Sequence, residues 1–290
     1  MRRIAITTLV VLGVVAMAAA QAGTTTGSSS GFQLSTPQRK VPRAAKTAEE
    51  GTAYQAVVSN PDLAAAEAAA KDFEAKYPQS ELSNVVYQRL MYRYQQANNA
   101  EKTVEMGRKA LQSDGDNPMV LVNVATVLAE RTRETDLDRD QRLAEAMKDA
   151  QHTLDGMGNW LATAPGITDA QANGIKPVLA SMAQAAMGLV ETTRKNPAEA
   201  EKHYQASVEL NPAQPDPLNW LRLALARDQQ KKYTDALTAA NRAVELSTAA
   251  GGPVSDWAKQ EQSRLQKLTG QTPPPAPAPA PQQPAPPPKS

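Results

Sequence analysis

Cysteine is absent from the 290-residue chain, which excludes disulfides, thiolate metal sites and thiol nucleophiles. If the chain is exported, apolar packing alone must hold its fold. Histidine occurs only at His152 and His203. Neither has HExxH spacing, so the pattern gives zinc chemistry no support. The GxSxG elbow, the Walker loop and the Rossmann fingerprint are missing too. Aromatics make up 4% of the chain while Ala is abundant, which favours closely packed helices over a β core of large residues. Charge of either sign is not in excess: 31 basic and 30 acidic residues leave a formal +1. That balance points neither to nucleic acid nor to an anionic membrane. No cofactor is implied, and clustered acid–base or nucleophilic groups are lacking. The chemistry that remains is binding.

What is present begins with a three-part start, MRRIAITTLVVLGVVAMAAAQA. Arg2 and Arg3 precede an apolar stretch from Ile4 to Ala19, and Ala20-Gln21-Ala22 supplies the small-x-small end. This reads as a secretory signal peptide over 1–22, cleaved after Ala22. An uncleaved anchor is the competing reading, because the apolar run approaches the ~17 residues that a span requires. The expected location is extracytoplasmic, periplasmic or secreted, with no stable membrane span after cleavage. Residues 23–46 are rich in Gly, Ser and Thr and read as a flexible linker. Residues 271–290, QTPPPAPAPAPQQPAPPPKS, carry ten of the 22 prolines and read as a disordered, polyproline-II-like tail. Pro284, Pro287 and Lys289 match a PxxPxK ligand, but a semi-rigid spacer with possible proximity to peptidoglycan is the broader reading.

Between about 47 and 270 the chain reads as helix after helix. Pro61, Pro78, Pro118, Pro197, Pro212 and Pro217 fall beside apolar periodic runs, where they start or stop helices. No convincing strand appears. In NPAEAEKHYQASVELNP (196–212), Ala200, Tyr204 and Ser207 step along one helical face. Asn196 and Pro197 open that helix and Pro212 closes it. Tyr87, Leu90, Met91 and Tyr94 recur 34 residues later as Leu121, Val124, Ala125 and Leu128. Trp220, Leu223 and Ala224 repeat the spacing, with Tyr233, Ala236 and Ala243 following. Met187 and Gly188 supply the small pair before Ala200, and Ala66, Ala70 and Phe73 an N-terminal copy.

This pattern resembles the tetratricopeptide (TPR) repeat, whose period is 34 residues. The resemblance covers roughly residues 47–250 in about five units. It implies an all-α solenoid of antiparallel helix pairs, with disordered termini outside it. The last helix, PVSDWAKQEQSRLQKL, places Trp257 and Leu265 on a polar body, as a capping helix would. Departures are identifiable. Gln184, Glu191 and Arg227 stand where large apolar residues are expected. Ala125 and Gly188 are 63 residues apart, 29 more than one period. An extended turn at 131–140 and an inserted segment at 161–180 are expected to absorb the excess. Within the first of these, Asp136, Asp138 and Asp140 mimic a calcium loop, but Gln141 and Met147 replace its Gly and Glu. A charged turn with Arg–Asp pairs is the reading taken. Gly115, in SDGDN, is expected to take a left-handed cap, and His203 to be solvated surface.

The family resemblance implies that the first helices line a concave surface where peptides or partner helices dock. On helical spacing, Gln88, Tyr92 and Gln95 share a face apart from the packed Tyr87–Leu90–Tyr94 side. Tyr92 is either an exposed binding anchor or an ordinary surface tyrosine. Arg89, Arg93 and Asn123 resemble part of the clamp that some TPR proteins close on a carboxylate, but its other members are missing. Six residues, Gln88, Arg89, Tyr92, Arg93, Gln95 and Asn123, form the expected partner-binding set. The expected function is a non-enzymatic protein–protein interaction scaffold of the cell envelope, its partner a protein or peptide. The alternative is a structural envelope module whose Pro-rich tail contacts or spans peptidoglycan.

Overall fold

Helix boundaries fall where the sequence offers caps. A computed structural model describes residues 43–248 and 252–270, so the expected leader (1–22), nearly all of the linker and the Pro/Ala-rich tail lie outside the described residues. Eleven helices occur among them: α1 (Ala48–Val58), α2 (Leu63–Lys76), α3 (Ser83–Gln96), α4 (Ala100–Ser113), α5 (Pro118–Arg131), α6 (Arg139–Thr163), α7 (Asp169–Thr193), α8 (Pro197–Leu210), α9 (Pro217–Gln229), α10 (Tyr233–Thr248) and α11 (Pro253–Thr269). No strand occurs among the described residues. Side-chain oxygens of Thr47, Asp62, Asn99, Asn117, Thr168 and Asp216 accept from first-turn amides. Those amides have no intrahelical acceptor. Proline sits in the first turn of α5, α8, α9 and α11, where its missing N–H loses nothing. Asn196 precedes α8 but does not cap it. Its Nδ2 turns back to Glu191 Oε2 at 3.1 Å.

Five hairpins, α1/α2 through α9/α10, stack in sequence and α11 covers the last. The fold is a TPR-like solenoid. A hairpin cannot bury its apolar stripe alone, so the core runs between units. The first apolar cluster joins α1 to α6 through Phe73, Leu90, Met91, Leu128 and Leu143. A second lies between α5, α6 and α7 around Ala125, Leu161, Leu179 and Met187. A third joins α8 to α11 through Tyr204, Leu223, Ala236 and Leu265. The residues expected at the repeat register are in these cores: Tyr87, Leu90, Met91, Tyr94, Ala200 and Ala236 are all buried.

The regular hairpin turns share one further feature. Asn98, Lys195 and Lys231 each have positive φ, at 56°, 63° and 63°, and each stands seven residues after the buried Met91, Gly188 and Ala224. One register position thus bends every tight turn of this kind. Gly115 has no positive φ. The end of α4 is held instead by Asp114, whose carboxylate receives Arg43 Nη2 at 2.9 Å, Asn84 Nδ2 at 3.1 Å and Trp160 Nε1 at 3.1 Å.

The excess residues are arranged differently from the expectation. The charged turn before α6 is present: Arg133 N donates to Asp136 at 2.7 Å, and Arg142 reaches Asp138 and Glu101. The segment at 161–180, however, is no insertion between helices. It lengthens α6 and α7 to 25 residues each, against 14 in α3, α4, α5 and α8. The link between them is confined to residues 164–168. A capping box, Thr168 with Gln171, starts α7, and Pro177 lies inside that helix. Trp160, Ile167 and Ile175 pack on Leu161 and Leu179 along the extension.

Candidate functional site

One face of the stack, lined mainly by α3, α5, α7 and α9 with Ala100 and Thr103 of α4, forms a groove. On α7 that face carries Ala185 and Ala186. The corresponding positions are Val122 and Asn123 on α5, and Leu221 and Arg222 on α9; Val122 and Leu221 are buried in apolar cores, and Asn123 and Arg222 line the groove. Small side chains on the middle helix leave a groove between the larger ones beside it. The groove is shallow, with a cavity volume of about 60 Å³. Its floor is Met182, Ala185, Ala186 and Leu189 of α7 with Val127 of α5, and its rim carries Gln95, Asn98, Asn99, Asn219 and Arg222. It runs diagonally, from the C-terminal ends of α3 and α5 to the start of α9.

Charge inside the groove is balanced. Arg222 Nη2 donates to Glu130 Oε1 at 2.9 Å and Nη1 to Asn219 Oδ1 at 3.3 Å. The Arg222–Glu130 contact spans 92 residues of sequence and ties α5 to α9 past the small face of α7. Both side chains are largely buried. Burial pushes the Glu130 carboxyl up, and the Arg222 guanidinium only partly offsets this. Arg131 Nη2 donates to Asn98 Oδ1 at the neighbouring edge. Asn219 Nδ2 is held by Ser207 Oγ at 3.0 Å, which in turn meets Ser181. The rim is therefore set by side chains that α5, α7, α8 and α9 fix for one another.

The six residues singled out from sequence separate into two groups. Gln95 and Asn123 line the groove, Asn123 buried with its Nδ2 on Met119 O at 2.6 Å. Gln88, Arg89, Tyr92 and Arg93 do not line it. Tyr92 is half-buried against the first apolar cluster rather than standing free, and its hydroxyl accepts from Gln88 Nε2 at 3.4 Å. Arg93 Nη2 donates to Pro61 O at 2.9 Å and fastens α3 to the α1–α2 turn. Arg89 is exposed. Sequence reasoning missed Glu130, Arg222 and the α7 floor. The Ala185-Ala186 pair at an inward register position was the available signal.

The other polar substitutions are absorbed structurally. His203 is half-buried, not solvated. Its Nδ1 meets Gln184 Oε1 at 2.8 Å, and desolvation lowers its basicity. Arg227 bonds Gln205 at 2.7 Å and Glu201 at 3.1 Å. Glu191 binds Arg194 at 2.8 Å. Asp149 of α6 is raised to about 6, by burial first and then by Glu145, but it does not line the groove. Among the described residues, no group of three or more His, Cys, Asp and Glu could hold a metal ion. Among the same residues no helix is long and apolar enough to cross a membrane.

Paired helices, a shared turn position and a core continuous between units define an α-solenoid of the TPR kind. No known family profile matches the chain, and no curated protein matches it. Among solved structures it is similar to Pseudomonas aeruginosa pilF, at 19% identity and a TM-score of 0.47, over 77% of this chain and 95% of that one. It is also similar to a tetratricopeptide repeat protein from Parabacteroides merdae, at 14% identity and a TM-score of 0.36, over 77% of this chain and 86% of that one. Likeness at these levels says nothing of a partner.

Proposed function

We propose that this chain is a non-enzymatic interaction scaffold that holds an extended peptide segment of a partner protein in the groove of α5, α7 and α9. The observation that carries the reading is the small face of α7 between the larger side chains of α5 and α9. The rim amides of Gln95 and Asn99 suit backbone N–H and C=O groups. With the leader read as a signal peptide, the scaffold works in the cell envelope, and Gln95 and Asn123 are its residues foreseen from sequence.

Site-specific photo-crosslinking tests this. A photoreactive residue at Gln95 should capture a partner from envelope extract, whereas one at the exposed Leu137 should not. Thr126→Arg and Met182→Glu place charge in the groove at half-buried positions. Each should abolish the Gln95 crosslink while helical circular dichroism stays unchanged. Equal capture from Leu137, or crosslinks that survive both substitutions, would remove the groove from consideration.

A further inference from the structure

The backbones of the neighbouring second helices α4 and α6 stay apart, while α5 packs closely on both. What joins α4 to α6 is a seam of polar side chains. Arg142 meets Glu101 at 3.4 Å, and Arg108 donates from Nε and Nη2 to Glu145 at 2.7 and 2.6 Å. His152 Nε2 meets Asp116 at 2.9 Å, and Trp160 Nε1 donates to Asp114 at 3.1 Å. Asp149 stands in the middle of that row and is buried. Its carboxylate has no hydrogen bond or ion pair among the described residues.

Other units fill this position differently. Ala146, Ala150 and Thr153 repeat the buried step of four and three residues seen at Ala236, Ala240 and Ala243. The residue before the middle member is Asp149 in α6, but the fully buried Met106 in α4 and Ala239 in α10. In α8 it is His203, which has Gln184 as its partner. Among these four helices only Asp149 is a buried acid without one. The charged groups facing it are Arg108 from α4 and Glu145, Lys148 and His152 from α6. The other helices packed on α6 keep theirs away. Glu130 and Arg131 lie at the end of α5, Asp169 and Glu191 toward the ends of α7, and Lys176 beside Gly158. Glu145 is one turn from Asp149 on the same helix and already holds both donors of Arg108. When ionised, Asp149 is desolvated, repelled by Glu145 and left without a cation of its own; when protonated it incurs neither cost. Those two causes, burial first, raise its carboxyl from 3.8 to about 6.

We infer that Asp149 makes the α4–α6 seam a proton-operated joint, closed when its carboxyl is protonated and loosened when it ionises. Movement of α6 away from α4 lets water reach the carboxylate. The head of α4 supplies Asn99, Ala100 and Thr103 to the groove, so the joint also shifts that wall. This consequence rests on the groove reading; the joint itself does not. At pH 7.5 the carboxyl is ionised in the folded and the unfolded chain alike, and the fold bears the whole cost. As pH falls through about 6 the folded carboxyl takes up a proton that the unfolded one, near 3.8, does not, so the cost is removed.

Spin labels test the joint directly, because the chain has no native cysteine. Gln112→Cys on α4 and Gln151→Cys on α6 place them at exposed positions on either side of the seam. Double electron–electron resonance should give a longer or broader distance distribution at pH 7.5 than at pH 5. With Asp149→Asn added, the two distributions should coincide, whereas His152→Gln should leave the response in place. In urea, Asp149→Asn and Asp149→Leu should each raise the unfolding midpoint of the unlabelled chain at pH 7.5, and raise it less at pH 5. An unresponsive labelled chain, an equal response in Asp149→Asn, or a response lost in His152→Gln would overturn the inference. So would a lower midpoint than wild type at pH 7.5 in both Asp149 variants.

Discussion

The hairpins α3/α4 and α7/α8 meet one packing problem with opposite residue sizes. Each places a residue of its first helix against one sixteen positions later in its second: Met91 with Gly107, and Gly188 with Tyr204. A Cβ added at Gly188 would lie 2.6–2.9 Å from three atoms of the Tyr204 ring. One added at Gly107 would lie 3.2 Å from Met91 Sδ and 2.4 Å from Val124 Cγ2. The α9/α10 hairpin has a third arrangement, Ala224 and Ala240, with Trp220 and Tyr233 packed nearby. What repeats is the volume shared by a pair, not the residue at either site. Close packing makes that sum the constrained quantity.

The largest effect should come from disturbing the rigid member of this comparison. Gly188→Ala gains about 1 kcal/mol of helix propensity but drives a methyl into a buried ring that has little room to move. A net loss of about 2 kcal/mol is expected, within the range for overpacking. Gly107→Ala should lose a comparable amount: Met91 is flexible, but the added methyl would lie 2.4 Å from a methyl of the fully buried, β-branched Val124, which is stiff at χ1. Chemical denaturation of both variants checks the magnitudes. Gly188→Ala combined with Tyr204→Leu should cost at least about 0.5 kcal/mol less than the sum of the single changes. Additive losses would break the pair-volume account.

The same contrast explains what was legible in the sequence. Where large and small residues kept their usual sides, as at Gly188, Ala200 and Tyr204, spacing alone located the helices and their buried face. Met91 and Gly107 kept the spacing with sizes exchanged, and the register held because Tyr87, Leu90 and Tyr94 surrounded them. The long α6–α7 hairpin was not legible. Gly156, Gly158 and Pro177 read locally as breakers, yet packing of Leu161, Leu179 and Trp160 between the two helices overrides their propensities, while Pro165 and Gly166 do break the chain, in the link between α6 and α7. The Thr168-x-x-Gln171 box was a helix start in plain view. The groove left a weaker trace. It is a place where side chains are small, and its closing pair, Glu130 and Arg222, is 92 residues apart. Pattern reading along one helix reports what fills space more readily than what leaves it open.

A smaller, pH-dependent difference should separate the hairpins three residues further along. There α3 places Tyr94 and α7 places Glu191. Tyr94 OH donates to Glu67 at 2.6 Å and Lys102 Nζ to the same carboxylate at 2.8 Å. The Lys102 hydrogen bond first, then that from Tyr94, hold Glu67 down at about 2 against its burial. A depressed carboxyl stabilises the fold above its unfolded value near 4.5 and loses that contribution as pH falls toward 2. Glu67→Gln should therefore cost about 1.5 kcal/mol at pH 7, and the gap from wild type should narrow below pH 4.5. Glu191 has only local partners, Arg194 and Asn196. Glu191→Leu should shift stability by less than about 1 kcal/mol. Urea titrations at pH 7 and pH 3 separate the two. A Glu67→Gln deficit that stays constant with pH would mean that the carboxylate charge is not what holds α2 to α3 and α4.

The smallest effect lies in the turns. Asn98 and Lys195 occupy the same left-handed position in the two hairpins, at φ 56° and 63°. That conformation costs an ordinary L-residue about 1–2 kcal/mol and glycine almost nothing, with Asn between them. Lys195 has an ion pair with Glu134 at 3.5 Å, both side chains substantially exposed, and such pairs contribute little. Lys195→Gly relieves the turn but also frees the unfolded chain, which takes back part of the gain. A net stabilisation of about 0.5 kcal/mol is expected. Asn98→Gly relieves less and removes the acceptor of Arg131, so its change should be zero or unfavourable. Denaturation midpoints of the two variants, measured with unchanged slope, decide the matter. A gain at Asn98 that equals the gain at Lys195 would show that turn strain, and not the residue chosen to bear it, is common to both hairpins.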